Sequence, residues 1–223
     1  MNHHLNPSLI GTRYHAFKLL RKAIEYTITK YFSKTNKLDN ILDYGCGIKP
    51  YESLFSPYFN HYLGADIAEN TEAAILIEEN GDIAIGDETV DVVISTQVLE
   101  HVTDVDKYLK EAYRVTKKGG LLLLSTHGYW IYHPNPTDLW RWTRDGLELT
   151  LERNGFESVE SLGFINRAAS GLQLLQDAFQ WKLPRIFFRP IWALLILGLQ
   201  KLVDRGSLHN QDAGIFLIIA KKV

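Results

Sequence analysis

ILDYGCGIKPYESLF, residues 41–55, ends a short aliphatic run with the acid Asp43 and then places two glycines around a cysteine. The run predicts a buried strand over 40–45, because short apolar runs bounded by glycine are typical of strands. Gly45 and Gly47 carry no Cβ, so the backbone can turn tightly there and approach a ligand closely. The stretch therefore predicts a strand followed by a ligand-binding turn.

Further apolar runs along the chain show the same strand pattern. They are HYLGADI (61–67), AAILI (73–77), VDVVIST (90–96), GLLLLST (120–126), FESVESLGF (156–164) and AGIFLIIAKKV (213–223). Helical segments separate most of them, and strands that alternate with helices favour a mainly parallel sheet covered on both faces. The sequence thus predicts an α/β fold with a doubly wound sheet of seven strands.

Amphipathic spacing predicts the helices that cover this sheet. Residues 12–33 form a predicted N-terminal helix. After the fourth strand a second helix is predicted, with Thr103 as its N-cap and Gly119–Gly120 as its stop. TRDGLELTLERNGF (143–156) repeats this order of Thr cap and Gly stop.

We expect a single domain over residues 1–223. Its predicted parts are a helical cover (1–38), a cofactor-binding core (39–165), a helical insertion (166–205) and the final strand (206–223). The N-terminal helix is expected to cover the cofactor. The insertion is apolar with basic residues nearby, and it could be a cap over the site, a dimer surface or, through 183–205, a peripheral contact with lipid.

Composition narrows the functional classes. The formal net charge is -2, so there is no global basic field to attract nucleic acid. The single Cys excludes an intrachain disulfide and a multi-cysteine metal site, and we expect no metal. Residues 1–15 lack the apolar run of a signal peptide, and 190–199 is too short for a membrane span. A cytoplasmic protein, with possible contact at the membrane surface, is predicted.

Ligands of such sheets bind beyond the carboxyl ends of the strands, which places four segments on one rim. These are 43–50, Asp66, 95–101 and 125–133. Asp66 follows the glycine turn by about twenty residues, where an acid accepts hydrogen bonds from ribose hydroxyls. A dehydrogenase would have a third glycine where Pro50 stands, so a nicotinamide cofactor is less favoured.

Taken in order, these motifs resemble class I S-adenosylmethionine-dependent methyltransferases. The resemblance covers residues 40–165 and is carried by ILDYGCG, YLGADI and DETVDVVISTQVLEHVTDVDKYLKEAYRVTKKGGLLLLSTH. It implies a Rossmann-like fold and S-adenosyl-L-methionine as the cofactor. Lys49 and Pro50 depart from the pattern, since the family often has a glycine late in the first motif.

The resemblance also implies the cofactor contacts. Asp43, Gly45 and Gly47 would face the methionine end, and Asp66 would hold the ribose. Residues 80–83 would approach the adenine. The full predicted set is Asp43, Gly45, Cys46, Gly47, Asp66, Ile67, Asp82, Thr96 and Gln97. Structural alternatives remain open, because Asp43 could cap the loop, Asp66 and Asp82 could form turns, and Cys46 could be a packing residue.

A second cluster, STHGYWIYHPNPTDLWRWTRDG (125–146), follows the fifth strand. Its histidines, His127 and His133, join His101 as candidates for a general base, because a neutral imidazole can take a proton from a hydroxyl. Tyr132, Asp138 and Arg141 are the predicted substrate contacts. Asp138 and Arg141 could instead pair with each other on a helical turn, and the Trp residues could pack under the loop.

The pattern H-x-x-P-x-D-x-x-R-x-T, which begins at His133, resembles a methyltransferase subgroup associated with the synthesis of cell-surface polysaccharides or lipid-linked glycans. We therefore predict methyl transfer to a small-molecule or glycan acceptor, as O-methylation. Methylation of a quinone or polyketide-like ring remains an alternative, as does a non-catalytic cofactor-binding protein.

A nucleic-acid acceptor is not expected. The only Cys lies in the cofactor loop, away from where a cytosine C5 methyltransferase needs its nucleophile, and STQVLE (95–100) replaces the motif of DNA amine methyltransferases. The sequence does not fix the acceptor or the oligomeric state.

Overall fold

The computed structural model describes residues 3–78, 81–134, 137–180 and 188–223. Its strands are β1 (Leu38–Tyr44), β2 (Phe59–Asp66), β3 (Ile75–Leu76), β4 (Val90–Thr96), β5 (Thr116–His127), β6 (Phe156–Asn166) and β7 (Ala213–Lys222). They form one sheet in the order β3-β2-β1-β4-β5-β7-β6. β7 runs antiparallel to both of its neighbours, and the other pairs are parallel. The predicted α/β fold is confirmed.

The helices are α1 (Tyr14–Tyr31), α2 (Glu52–Phe55), α3 (Val105–Val115), α4 (Arg144–Arg153), α5 (Arg167–Gln180) and α6 (Phe188–Asp204), with a 3-10 turn at Leu99–His101. Side chains alternate along each strand, so consecutive residues face opposite sides of the sheet. Ile41 of β1 belongs to the apolar cluster under α1, whereas Leu42 belongs to the cluster under α3 and α4. Both faces of the central strands are therefore buried, which explains their continuous apolar runs.

Two predicted boundaries of α3 are wrong. The N-cap is Asp104 instead of Thr103, because Asp104 Oδ1 accepts a hydrogen bond from Lys107 N at 3.0 Å. The Gly119–Gly120 pair does not end the helix, which stops at Val115, but lies inside β5.

A break in strand pairing explains the two glycines. The register between β4 and β5 shifts after Val90, so the residues between Thr116 and Leu121 form an irregular stretch. Gly119 has φ +76°, and a Cβ on Gly120 would lie 2.7 Å from the carbonyl oxygen of Asp91. The pair therefore serves a bulge. The cap predicted for α4 is confirmed, because Thr143 Oγ1 accepts from Gly146 N at 3.2 Å.

Two helices, α5 and α6, occupy the predicted insertion, although residues 181–187 lie outside the described part of the chain. They pack on each other, and α6 also packs on α1. His15 of α1 donates from Nε2 to buried Asp204 at 2.7 Å, and Asp204 also accepts from Asn166 N at 3.2 Å. Within the described residues, none of the helices combines the length and apolar character that a membrane span requires.

α1 packs mainly on β6, β7 and α6. The segment before α1 approaches the ligand-binding rim of the sheet. The His4 ring lies 6.4 Å from that of Tyr51, which follows the turn at Gly45 and Gly47 that we call the glycine bend. Arg13, at the start of α1, lies over Trp130 of the loop between β5 and α4 (128–143), which we call the aromatic loop. The expectation that α1 covers the cofactor stays a prediction, and the contacts of His4 and Arg13 place residues before the helix at the rim as well.

Candidate functional site

The turn after β1 folds against the end of β2. Gly45 N and Cys46 N both donate to the Ala65 carbonyl, at 2.9 and 3.0 Å, and Gly47 N donates to Asp66 Oδ2 at 2.7 Å. The other oxygen of Asp66 accepts from Ile67 N at 2.8 Å. The carboxylate of Asp66 therefore lies directly against the glycine bend, 19 residues after Gly47 in the chain.

The two glycines of the bend have different surroundings. Gly45 has φ +81°, and a Cβ there would lie 2.5 Å from Val98 Cγ2, so only glycine lets the turn after β4 pack this closely. Gly47 has φ +50°, and no atom lies within 4 Å of where its Cβ would be. The backbone at Gly47 thus borders open space, beside the carboxylate of Asp66.

Asp43 is 1% exposed, and its Oδ2 accepts a hydrogen bond from Tyr62 at 2.6 Å. Its Oδ1 is buried without a hydrogen-bond partner. Burial raises the pKa of Asp43 to about 7, although the hydrogen bond from Tyr62 acts in the opposite direction. Leaving such an oxygen unpaired costs free energy, so a donor from a ligand, above all a cationic one, would stabilise this carboxylate.

The sequence did not single out Asn70. Its Nδ2 donates to both Asp66 Oδ2 and the Gly47 carbonyl, each at 2.7 Å, and thereby ties the bend to the end of β2. Cys46 packs against Gly64, and burial raises the pKa of its thiol to about 12. The thiol therefore stays protonated at neutral pH, which fits the packing alternative.

The remaining predicted cofactor residues lie around this bend. Thr96 pairs with Ser125 in the sheet, and Gln97, at φ +60°, donates from Nε2 to Ser125 Oγ at 2.7 Å. Asp82 is exposed, with its carboxylate 3.6 Å from Lys107 Nζ. Tyr44 holds that turn by donating to the Gly81 carbonyl at 3.1 Å. Residue 80 lies outside the described residues, and the adenine assignment stays a prediction.

The structure brings the three predicted histidines together. The ring of His133 lies 5.4 Å from that of His101 and 6.0 Å from that of His127, measured between centroids. His127 stacks on Trp130, with centroids 4.9 Å apart and an angle of 8° between the planes. The guanidinium of Arg13 lies 5.7 Å from the centroid of the Trp130 ring. Trp130 therefore connects the N-terminal segment to the histidines.

Glu100 lies buried beneath this cluster, and sequence reasoning assigned it no role. Its Oε1 is 3.0 Å from His127 Nδ1 and 3.9 Å from His101 Nε2, although neither pair has hydrogen-bond geometry. Its Oε2 accepts from Thr126 Oγ1 at 2.8 Å. Burial acts to raise the pKa of Glu100, but His127 and Thr126 outweigh it, so the pKa is lowered and the carboxylate is ionised.

His133 differs from the ionised Glu100, because its charged form is disfavoured. Burial, followed by the positive charge of Arg13, lowers the pKa of His133 below its ordinary value. Its imidazole is therefore neutral at pH 7 and can accept a proton. A role as general base stays a prediction for His133, as it does for His101 and His127.

Asp138 and Arg141 hold the aromatic loop in place. Their side chains form an ion pair at 2.5 Å, and Asp138 Oδ2 also accepts from His133 N at 2.6 Å. Arg141 donates to the carbonyls of Trp130 and Ile131, and its hydrogen bonds lower the pKa of Asp138 to about 2. The pair thus fixes the backbone that carries His133. A direct contact with substrate stays a prediction for both residues.

A groove of about 580 Å³ lies beside the histidines, between the aromatic loop, the start of α1 and α5. Tyr132, which is 75% exposed, stands at its edge. The lining residues are Thr12, Arg13, Ile131, Tyr132, Leu174, Asp177 and Ala178. Its walls combine apolar surface with one cation and one carboxyl group, which suits an amphipathic acceptor.

One short segment joins the two halves of the rim. Val98 packs against Gly45 of the bend, and the following 3-10 turn carries Glu100 and His101 to the histidine cluster. The aromatic loop rests on the same turn, because Leu139 N donates to the Glu100 carbonyl at 2.9 Å and Trp140 Nε1 to that of Val102 at 2.8 Å. Residues 135–136 of the loop lie outside the described residues.

In the part of the chain that the structure describes, there is no group of three or more His, Cys, Asp or Glu side chains placed to hold a metal ion.

Comparison with known proteins agrees with this geometry. A family model described as a methyltransferase domain matches residues 13–174. A protein of Mycolicibacterium smegmatis named "Probable S-adenosylmethionine-dependent methyltransferase" is 29% identical over 144 residues. A ubiquinone biosynthesis O-methyltransferase of Bradyrhizobium is 35% identical over 98 residues. The matches cover 58% and 39% of this chain, and 56% and 39% of those relatives, so the chain spans about half of their length or less.

Solved structures of low sequence identity share the fold. Phosphoethanolamine N-methyltransferase 2 of Haemonchus contortus, in complex with phosphomonomethylethanolamine and S-adenosylhomocysteine, superposes with a TM-score of 0.57 at 17% identity. The superposition covers 90% of this chain and 52% of that one. A SAM-dependent methyltransferase of Archaeoglobus fulgidus gives 0.54 at 19% identity, over 91% of this chain and 94% of the other.

Proposed function

This chain belongs to the S-adenosylmethionine-dependent methyltransferases, and we propose that it transfers the methyl group of that cofactor to a hydroxyl of a small-molecule or glycan acceptor. One observation carries the proposal. Three histidines from two separate stretches of the chain converge beside a buried carboxylate, on the rim that also holds the glycine bend.

The bend has groups that fit the cofactor. Asp66 would accept a hydrogen bond from the ribose hydroxyls through Oδ1, which keeps a free lone pair beside its bond from Ile67 N, whereas Oδ2 already accepts from Gly47 N and Asn70 Nδ2. Asp43 would face the amino group of the methionine moiety, whose positive charge would stabilise its buried carboxylate. When bound there, S-adenosylmethionine supplies a methyl group on a positively charged sulfur.

His133 is the proposed general base. It would take the proton of the acceptor hydroxyl as the oxygen accepts the methyl group that bound S-adenosylmethionine would supply. The ionised Glu100 would stabilise the positive charge that then spreads over the histidine cluster. Holding the acceptor in line contributes about 7–11 kcal/mol in favourable cases, and a general base contributes about 10²–10⁴-fold.

Two acceptor classes have specific support. The pattern from His133 to Thr143 resembles the subgroup linked to cell-surface polysaccharides and lipid-linked glycans, which favours a sugar hydroxyl. The 35% identity to a ubiquinone biosynthesis O-methyltransferase, together with the apolar walls of the groove and Tyr132 at its edge, favours a phenolic ring as the second candidate. Both need deprotonation of a hydroxyl, so the same residues would serve either.

The test is a methyl-transfer assay with the full chain. Release of S-adenosylhomocysteine is followed with panels of nucleotide sugars, glycolipids and dihydroxylated aromatic rings, and mass spectrometry locates the new methyl group. We expect an O-methyl product from one panel. A methyl group on nitrogen or carbon would contradict the proposal. Tight cofactor binding with no transfer to any panel would favour the non-catalytic alternative.

A further inference from the structure

The α5–α6 hairpin exposes a continuous apolar face. Between residues 191 and 203, each exposed residue of α6 other than Lys201 is apolar or glycine. α5 adds its own exposed apolar residues, and Phe179 contacts Trp192 across the hairpin. The apolar face consists of Leu174, Leu175, Phe179, Ile191, Leu194, Leu195, Leu199 and Leu202. A contiguous apolar surface of this kind marks a site of interaction.

The opposite side of the hairpin fixes its orientation. Buried Asp204 accepts from His15, and buried Gln200 donates to Gln173 Oε1 at 3.2 Å. Gln173 in turn donates to the Thr12 carbonyl at 3.1 Å. These buried polar contacts hold α6 against α1 and α5, so rotating the helix to bury its apolar face would break them.

The charge of this segment points to an anionic occupant. Residues 167–205 contain six Lys or Arg and two Asp, a net charge of +4, whereas the whole chain carries -2 and the remainder therefore -6. Of those Asp residues, Asp204 is buried, and half-buried Asp177 accepts from Gln173 and lines the groove. Lys201 and Arg205 are exposed at the end of the apolar face. An apolar face edged with cations is typical of helices that lie in the surface of an anionic membrane.

We propose that the α5–α6 face docks on the surface of a bilayer that contains anionic lipids. A second copy of the chain fits less well, because a two-fold contact would bring two segments of net charge +4 together. The groove beside the histidines shares α5 with this face, since Leu174 belongs to both and Ala178 lines the groove. Docking would therefore place the groove next to the membrane surface. This inference does not depend on the identity of the methyl acceptor.

Vesicle flotation of the full chain tests the proposal. The vesicles contain phosphatidylcholine alone or with about 30% phosphatidylglycerol, an anionic lipid. We expect binding to the anionic vesicles, weakened by about 0.5 M salt. The double variant Leu195→Glu/Leu202→Glu, at positions 54% and 71% exposed, should bind at least ~10-fold more weakly. The matched control Leu149→Glu, at a position 46% exposed on α4, should bind like the unmodified protein.

The results that would contradict the proposal are as follows. If the unmodified protein does not float with anionic vesicles, or the double variant floats as well as the control, the proposal is wrong. Sedimentation velocity distinguishes the competing occupant, because a dimer that Leu195→Glu/Leu202→Glu dissociates, without vesicle binding, would assign the face to a second copy. Thermal melting checks the fold of each variant, and Leu195→Ser/Leu202→Ser replaces the double Glu variant if that one does not fold.

Discussion

Asp43 and Glu100 are both buried carboxylates on the rim of the same sheet, yet their charges are stabilised in different ways. Asp43 has a neutral partner, Tyr62, and burial raises its pKa to about 7. Glu100 has the His127 ring 3.0 Å away, and its pKa is lowered despite burial. The protein thus supplies an imidazole partner for the acid of the acceptor half, whereas the acid of the cofactor half gains a cationic partner only from a ligand.

The two halves are also assembled differently. The centre of the cofactor half, the glycine bend with Asp66, lies within 41–70 and is held mainly by backbone groups and the side chains of Asp66 and Asn70. The acceptor half combines Arg13, the 3-10 turn and the aromatic loop, and side chains hold it together. Substitutions in one half should therefore leave the other half working.

Replacing the base should have the largest effect on turnover. His133→Ala is expected to lower kcat by about 10²–10⁴-fold, the contribution of a general base, and to leave the Kd for S-adenosylmethionine within about twofold. The control is His61→Ala, at an exposed position in β2. Steady-state kinetics and calorimetry provide the two readouts. Equal kcat in both variants would remove His133 from the mechanism.

Glu100→Gln should have an intermediate effect, because it keeps the shape and removes the charge. We expect kcat to fall by about tenfold, part of the general-base contribution. Without the buried anion, the charged form of the histidines is less stable, so the rising limb of the pH profile of kcat/KM should move to lower pH. A profile that does not move would show that Glu100 has only a structural role.

The smallest effect is expected for the pH dependence of cofactor binding. Below pH 7 the carboxyl of Asp43 is mostly protonated in the free protein, whereas a cationic amino group is held best by the ionised form. The Kd for S-adenosylmethionine should therefore decrease several-fold as the pH rises through about 7. Asp43→Asn should bind more weakly at pH 8 and lose this dependence. Titrations of both proteins between pH 5.5 and about 8.5 measure it, and identical pH curves would contradict the assignment.

The strands of the sheet were predictable from sequence, because buried parallel strands are continuous apolar runs. The role of glycine pairs was harder to predict from sequence. Gly119–Gly120 resembles a helix stop, but it serves a bulge that only the pairing of β4 with β5 reveals. In the site, the rule that ligands bind beyond the strand ends correctly predicted that the three histidines lie together.

Glu100, Asn70 and Arg13 escaped prediction for a physical reason. Each acts through a contact that sequence spacing does not encode: Glu100 with His127 in the next strand, Asn70 with the Gly47 carbonyl, and Arg13 with Trp130. Residues of the cofactor half follow one another at the ends of adjacent strands, so their positions were easier to infer. A signal for Glu100 did exist, since it lies in the VLEH motif directly before a candidate histidine.

The most direct measurement is a calorimetric titration of the chain with S-adenosylmethionine, repeated with Asp66→Ala and with the control Glu69→Ala, an exposed acid of the same loop. We predict micromolar binding that Asp66→Ala weakens by about 100-fold, because a hydrogen bond to a charged group, worth about 1.5–3 kcal/mol, is lost, and that Glu69→Ala leaves unchanged. Unaltered affinity in a folded Asp66→Ala protein, or no binding to the unmodified chain, would contradict the assignment of the glycine bend as the cofactor site.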